Sequence, residues 1–166
     1  MRTIVILLTT FMASIFNTSE NSVDYTQYCN ADLSVYKDRT FKSANEDGAS
    51  FTLTLKNTST KSSTYSLLTK NLSEPCDNIK GRSSSESNVK LDVSIQSIKN
   101  NTRGGLGNEI TLRSGESHTF IVNITVPDGT KYNSWSCIEV EAKSDNCASS
   151  SETTTLSVFV TDPSEG

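Results

Sequence analysis

The chain has 166 residues, a formal net charge of −4, and only 7% aromatic and 20% charged residues. Its Lys and Arg residues are scattered rather than clustered, which argues against nucleic acid or an anionic membrane surface as a partner. One histidine and four cysteines without a CxxC pair argue against a zinc site, and no cofactor is expected.

Met1-Arg2 followed by the uncharged apolar run Thr3 to Phe16 reads as a secretory signal. The run falls short of the about 20 apolar residues that span a bilayer. Small residues at Ala13, Ser14, Thr18 and Ser19 offer cleavage sites, and an uncleaved anchor is the alternative. No Cys follows the run directly, which argues against a bacterial lipoprotein. Removing the signal leaves about 145 residues, the size of one domain. No second long apolar segment follows, so no membrane span is expected in the mature chain. The expected division is 1–19 signal peptide, 20–29 polar lead-in, 30–162 folded domain and 163–166 tail.

Beyond the lead-in, apolar side chains fall on every second residue in short runs, the period of a half-buried strand. Leu33 to Tyr36 is the first expected strand, and Ser43 to Gly48 a turn. Phe51, Leu53 and Leu55 alternate with Thr52 and Thr54, ending at Asn57-Thr-Ser-Thr60. Tyr65 to Lys70 is a third strand, and a long polar loop runs from Asn71 to Asn88. Val89, Leu91, Val93 and Ile95 mark the fourth, and Lys99 to Asn108 is a glycine-rich loop. Ile110 to Leu112 turns at Ser114-Gly115 into the strand carrying Phe120, Val122, Ile124 and Val126. Pro127-Asp-Gly-Thr130 suits a β-turn. Ile138, Val140 and Ala142 define the next strand, and Leu156, Val158 and Val160 the last. Seven to eight short strands with no helix predict an all-β, immunoglobulin-like antiparallel β-sandwich.

Several of these segments carry a resemblance. Leu112-x-x-Gly-Glu-Ser117, the Thr119–Val126 strand and Pro127-Asp-Gly-Thr130 resemble the immunoglobulin-like CARDB/NEW3-type modules of bacterial secreted and surface proteins. Asp32-Leu33-Ser-Val35 and Phe51-Thr-Leu-Thr-Leu-Lys-Asn57 resemble their opening strands. The similarity extends over most of residues 30 to 161, and departs at Asn133-Ser-Trp-Ser-Cys137 and in the four cysteines. It implies a non-catalytic spacer or adhesion unit.

An even cysteine count in an exported chain favours disulfides. If consecutive strands alternate in direction, Cys29 and Cys137 fall at one end of the sandwich, and Cys76 and Cys147 at the other. Bridged Cα atoms lie within about 7 Å, so the expected pairs are Cys29–Cys137 and Cys76–Cys147. A bulge or early strand end near Cys137 would permit Cys137–Cys147 instead.

The candidate chemistry is sparse. His118 has Glu116 and Ser117 beside it, but these are turn residues and form no nucleophile–base–orienter set, so no enzyme is expected. Arg103-Gly-Gly-Leu-Gly-Asn108 lacks the Lys-Ser/Thr and following helix of a phosphate loop. The acidic pairs near 46, 74 and 162 lack the spacing of a calcium loop, so no metal is expected. Asn-x-Ser/Thr sequons occur at Asn17, Asn57, Asn71, Asn100 and Asn123, the last four being candidate glycosylation sites. The same strand alternation brings loops 57–63, 98–108 and 127–134 to one end, where Arg103, Lys131, Tyr132 and Trp135 would form an aromatic, weakly basic binding patch. The alternative places Trp135 over a disulfide in the core.

The expected function is a secreted or cell-surface, non-catalytic binding or structural module. Its partner would be a protein or glycan of the cell envelope or surroundings, met through end loops or a strand edge. The alternative is a secreted inhibitor or effector that inserts an end loop into a target enzyme. Neither the ligand nor the oligomeric state is encoded in these patterns.

Overall fold

The computed structural model describes residues 30–76, 88–97, 108–145 and 151–165. The signal, the lead-in with Cys29, the glycine-rich loop with Asn100 and Arg103, and Cys147 lie outside the described residues, as does Asn17. Alternation of apolar and hydroxyl side chains produces nine strands among the described residues. They are β1 (Ala31–Val35), β2 (Phe41–Ala44), β3 (Ala49–Asn57), β4 (Ser63–Leu72), β5 (Asp92–Ser97), β6 (Glu109–Leu112), β7 (Ser117–Thr125), β8 (Ser134–Ser144) and β9 (Ser151–Val160). One sheet has the order β1-β3-β7-β5 and the other β2-β9-β8-β4-β6. Their inner faces meet in one core built from Phe51, Leu53, Leu55, Tyr65, Leu67, Phe120, Val122, Ile138, Val140, Leu156 and Val158. Each such side chain contributes about 1.5–3 kcal/mol on burial, enough for two amphipathic sheets to hold together without a helical layer.

Alternation alone does not show β2: the turn expected over Ser43 to Gly48 overlaps Phe41–Ala44, which is a strand paired with β9, and in parallel (Phe41 with Ser157, Ala44 with Val160). The chain crosses from the edge of one sheet to the edge of the other at Tyr36–Asp38, where Lys37 and Asp38 take left-handed φ of 56° and 53°. After β2 a tight turn, closed by the Asn45–Gly48 bridge, returns it to β3 in the other sheet. The Asp47 amide donates to Asn45 Oδ1 (3.0 Å) and the Gly48 amide to the Asn45 carbonyl (2.9 Å). Gly48 has φ 77°, and a Cβ there would stand 2.1 Å from the Ile124 carbonyl oxygen, so only glycine fits.

Strand sense decides which residues share an end. β3 runs antiparallel to β7, and β5 antiparallel to β7, while β6 and β8 both run antiparallel to β4. Asn57 Nδ2 donates to the Leu112 carbonyl across the sandwich, so the end of β3, the start of β4 and the end of β6 meet at one end, here the Asn57 end. The start of β8, the end of β9, the start of β3 and the end of β4 meet at the opposite, Trp135 end. β5 and β6 therefore run in the same direction although they lie in different sheets. Among the strands expected from the sequence, strict alternation fails at that step, and every later loop changes ends.

That reversal corrects the cysteine assignment. Cys137 pairs with Cys76, with 5.8 Å between Cα atoms, and not with Cys29 or Cys147. Cys137 stands opposite Leu72 at the end of β4, so the four residues after Leu72 bring Cys76 within reach. It also corrects the loop assignment: 57–63 and 127–134 lie at opposite ends of the sandwich.

Candidate functional site

The parity of β8 and β9 sets two faces. Ile138, Val140 and Ala142 face inward, so Trp135, Cys137, Glu139 and Glu141 face outward; Ser157 and Phe159 on β9 and Phe41 on β2 share that outer face by register. The three rings gather there. Trp135 and Phe159 lie 4.9 Å apart between centroids at 50°, and Phe41 and Trp135 5.5 Å apart at 42°, tilted arrangements that suit ring quadrupoles. Ser157 and Cys137 are outward by register yet wholly buried, so the rings and the Cys76–Cys137 bridge close a second, small apolar layer over the five-stranded sheet. Phe41 remains 49% exposed at its edge.

The adjoining loop is held by its own hydrogen bonds. The Thr130 amide and hydroxyl both donate to the Pro127 carbonyl, and the Ser134 hydroxyl to the Lys131 carbonyl. Asn133, at φ 53°, donates its amide to the Val160 carbonyl at 2.8 Å, tying the loop to the end of β9. Lys131 and Tyr132 stand exposed on it, four and three residues before Trp135. Of the expected patch, Lys131, Tyr132 and Trp135 are therefore at one end, and Arg103 lies outside the described residues. Trp135 neither lines an end-loop cluster with 57–63 nor enters the core; it joins Phe41 and Phe159. Those two were missed, although an aromatic at the solvent-facing parity of each of two strands is a legible signal.

The sequons separate sharply. Asn57 is wholly buried, and its amide nitrogen donates to the carbonyls of Lys61 (2.8 Å) and Leu112 (3.0 Å). Its Oδ1 accepts from the Ser59 amide and hydroxyl and from the Tyr65 hydroxyl. Burial raises the Tyr65 pKa, with a hydrogen bond from Ser63 opposing it, so the phenol stays a neutral donor. A glycan on Asn57 is incompatible with this packing, which removes it from the candidates. Asn71 exchanges hydrogen bonds with the Leu91 backbone in both directions and bridges the two sheets. Asn123 lies on the outer face of the four-stranded sheet, where its amide reaches Gln96 Oε1 at 3.3 Å.

His118 faces inward and is buried, and neither ring nitrogen has a hydrogen-bond partner. Burial pushes its pKa down, and nearby Glu116 opposes the shift. No hydroxyl or carboxylate engages it, so it makes no catalytic pair. Among the described residues, no group of His, Cys, Asp and Glu side chains could hold a metal ion, and no helix is long and apolar enough to cross a membrane.

Two sheets packed around one core, antiparallel throughout except for the parallel β2–β9 pair at one edge, define an immunoglobulin-like β-sandwich domain. No family model matches the chain, and no curated protein matches its sequence. Among solved structures, it is similar to a family 123 glycoside hydrolase from Clostridium perfringens, at 12% identity and a TM-score of 0.49 over 80% of this chain; it spans 28% of the hydrolase chain. It is similar to PapD-like domain 7 of human CEP192, at 9% identity and a TM-score of 0.45, covering 98% and 96% of the two chains. The periplasmic chaperone SfaE aligns at 11% identity and a TM-score of 0.42, over 81% of this chain and 57% of that one.

Proposed function

We propose that this chain is a secreted or surface-associated, non-catalytic binding module, of the kind its strand motifs resemble. Its contact surface is the Phe41–Trp135–Phe159 cluster, with Tyr132 and Lys131 on the adjoining loop, and its partner is a protein of the cell envelope or surroundings. The observation that carries this reading is an aromatic cluster on the outward face of a sheet, with Phe41 half exposed at its rim. Aromatic side chains dominate contact energies, and they are rigid enough to lose little entropy on docking. A disulfide behind the cluster and a hydrogen-bonded loop beside it hold that surface in shape.

The test uses the only tryptophan of the chain as its own reporter. Titrating purified protein with the envelope fraction of the source organism shifts Trp135 emission to shorter wavelength, and Phe41→Ser weakens the association at least tenfold while leaving the thermal midpoint within a few degrees. Association unchanged by Phe41→Ser and Tyr132→Ala rejects this surface.

A further inference from the structure

β7 places His118 at its first inward position, opposite Leu55 of β3 and immediately after the turn from β6. It is 4% exposed, and both ring nitrogens lack partners. At the same end Asn57 has donors and acceptors fully engaged, so the polar part of this core divides into one satisfied side chain and one that tolerates only its uncharged form. A second proton on the imidazole would create two buried N–H donors and a buried charge, with no acceptor for either.

Among the described residues, the anion that acts on the imidazole is Glu116, two residues away, and burial outweighs its charge; Glu116 Oε2 accepts the Arg113 amide at 2.8 Å and is tied into the turn. Its register partner on β3 is Leu55, and the buried positions at this end of the sandwich are Asn57 on β3, Ser63 and Tyr65 on β4, Leu112 on β6, and Ala142 and Ser144 on β8, none of them charged. Tyr65 is kept in its neutral form by burial. Lys42 lies near the opposite end, and Glu152 of β9 is exposed.

We infer that His118 is a proton-operated latch: the β6–β7 corner is closed at neutral pH and opens when mild acid charges the imidazole. The sign follows from linkage. The folded form holds the histidine below its ordinary value of about 6.5, so the opened form takes up the proton first. The stabilisation is complete above that value and is lost progressively as pH falls from it toward the lower value of the folded form. Opening frees the turn that Asn57 closes through the Gly115 amide and the Glu116 carbonyl, and so loosens one end of the sandwich while the Trp135 end stays intact.

Native-state hydrogen exchange of the full chain tests this. Between pH 7.5 and 5.5, corrected for intrinsic rates, amides of β6 and β7 lose about tenfold protection in the wild type, and none in His118→Leu. The ring signal of His118, the only histidine, titrates below its ordinary value of about 6.5. Equal loss in His118→Leu, a flat wild-type profile, or a ring that titrates near 6.5 overturns the latch. If His118→Leu does not fold, the ring titration in the wild type decides alone.

Discussion

Asn57 closes its end of the sandwich by acting as a piece of backbone. β3 runs out of partners there, and three chain segments must turn at once, leaving carbonyls at Lys61 and Leu112 that face inward. The carboxamide supplies two donors to them and an acceptor to Ser59 and Tyr65, while its own backbone bonds the 115–116 turn. Replacing it with alanine strands several buried groups, each at about 1–3 kcal/mol when not rescued by water. Asn57→Ala is therefore expected to lose about 3 kcal/mol of stability, read as a fall in the urea midpoint at unchanged slope. A loss below about 1 kcal/mol would mean that water replaces the side chain. From sequence, Asn57 was legible only as a sequon and a strand end, because nothing local shows that its side chain turns inward to meet Lys61 and Tyr65 nearby and Leu112, 55 positions away.

At the scale of elements, the Cys76–Cys137 bridge joins the start of β8 to the segment just past β4, a connection of 61 residues. A closed loop of that length lowers the entropy of the unfolded chain by an amount worth about 4 kcal/mol at room temperature. Cys76→Ser combined with Cys137→Ala should lower stability by up to that much, read by guanidinium unfolding. Its Trp135 emission should move to longer wavelength as the second apolar layer loosens. A variant as stable as the parent would show that β4–β8 pairing alone holds this region. The period-two pattern made β3, β7, β8 and β9 legible as strands. It could not reveal β2, whose four residues alternate weakly and are recruited by β9. Nor could it show that β5 and β6 run in the same direction, because a strand's sense is set by the neighbours it pairs with and is not written in its own pattern.

For the whole molecule, the shared direction of β5 and β6 decides which cysteines meet. Cys76 and Cys137 are joined, leaving Cys29 and Cys147 as the remaining pair within the chain. Asn30, which follows Cys29, and Asp145, two residues before Cys147, are both anchored at the Asn57 end: the Thr58 amide donates to the Asn30 carbonyl, and the Asp145 amide to the Thr64 carbonyl. Non-reducing peptide mapping of the exported protein is expected to give Cys76–Cys137 together with Cys29–Cys147; a Cys29–Cys137 peptide would overturn the strand order. Made in a cell that N-glycosylates secreted chains, the folded product is expected to carry sugar at Asn123 and none at Asn57, read on the same peptides. What the amino-acid sequence determined by itself was local: alternation sends apolar side chains to one face of each strand, so two sheets must close over a core. Tertiary structure alone decided strand sense, the disulfide pairing and the meeting of Phe41, Trp135 and Phe159. Those depend on which strands become neighbours, and hydrogen bonds and packing between residues far apart in the chain choose that.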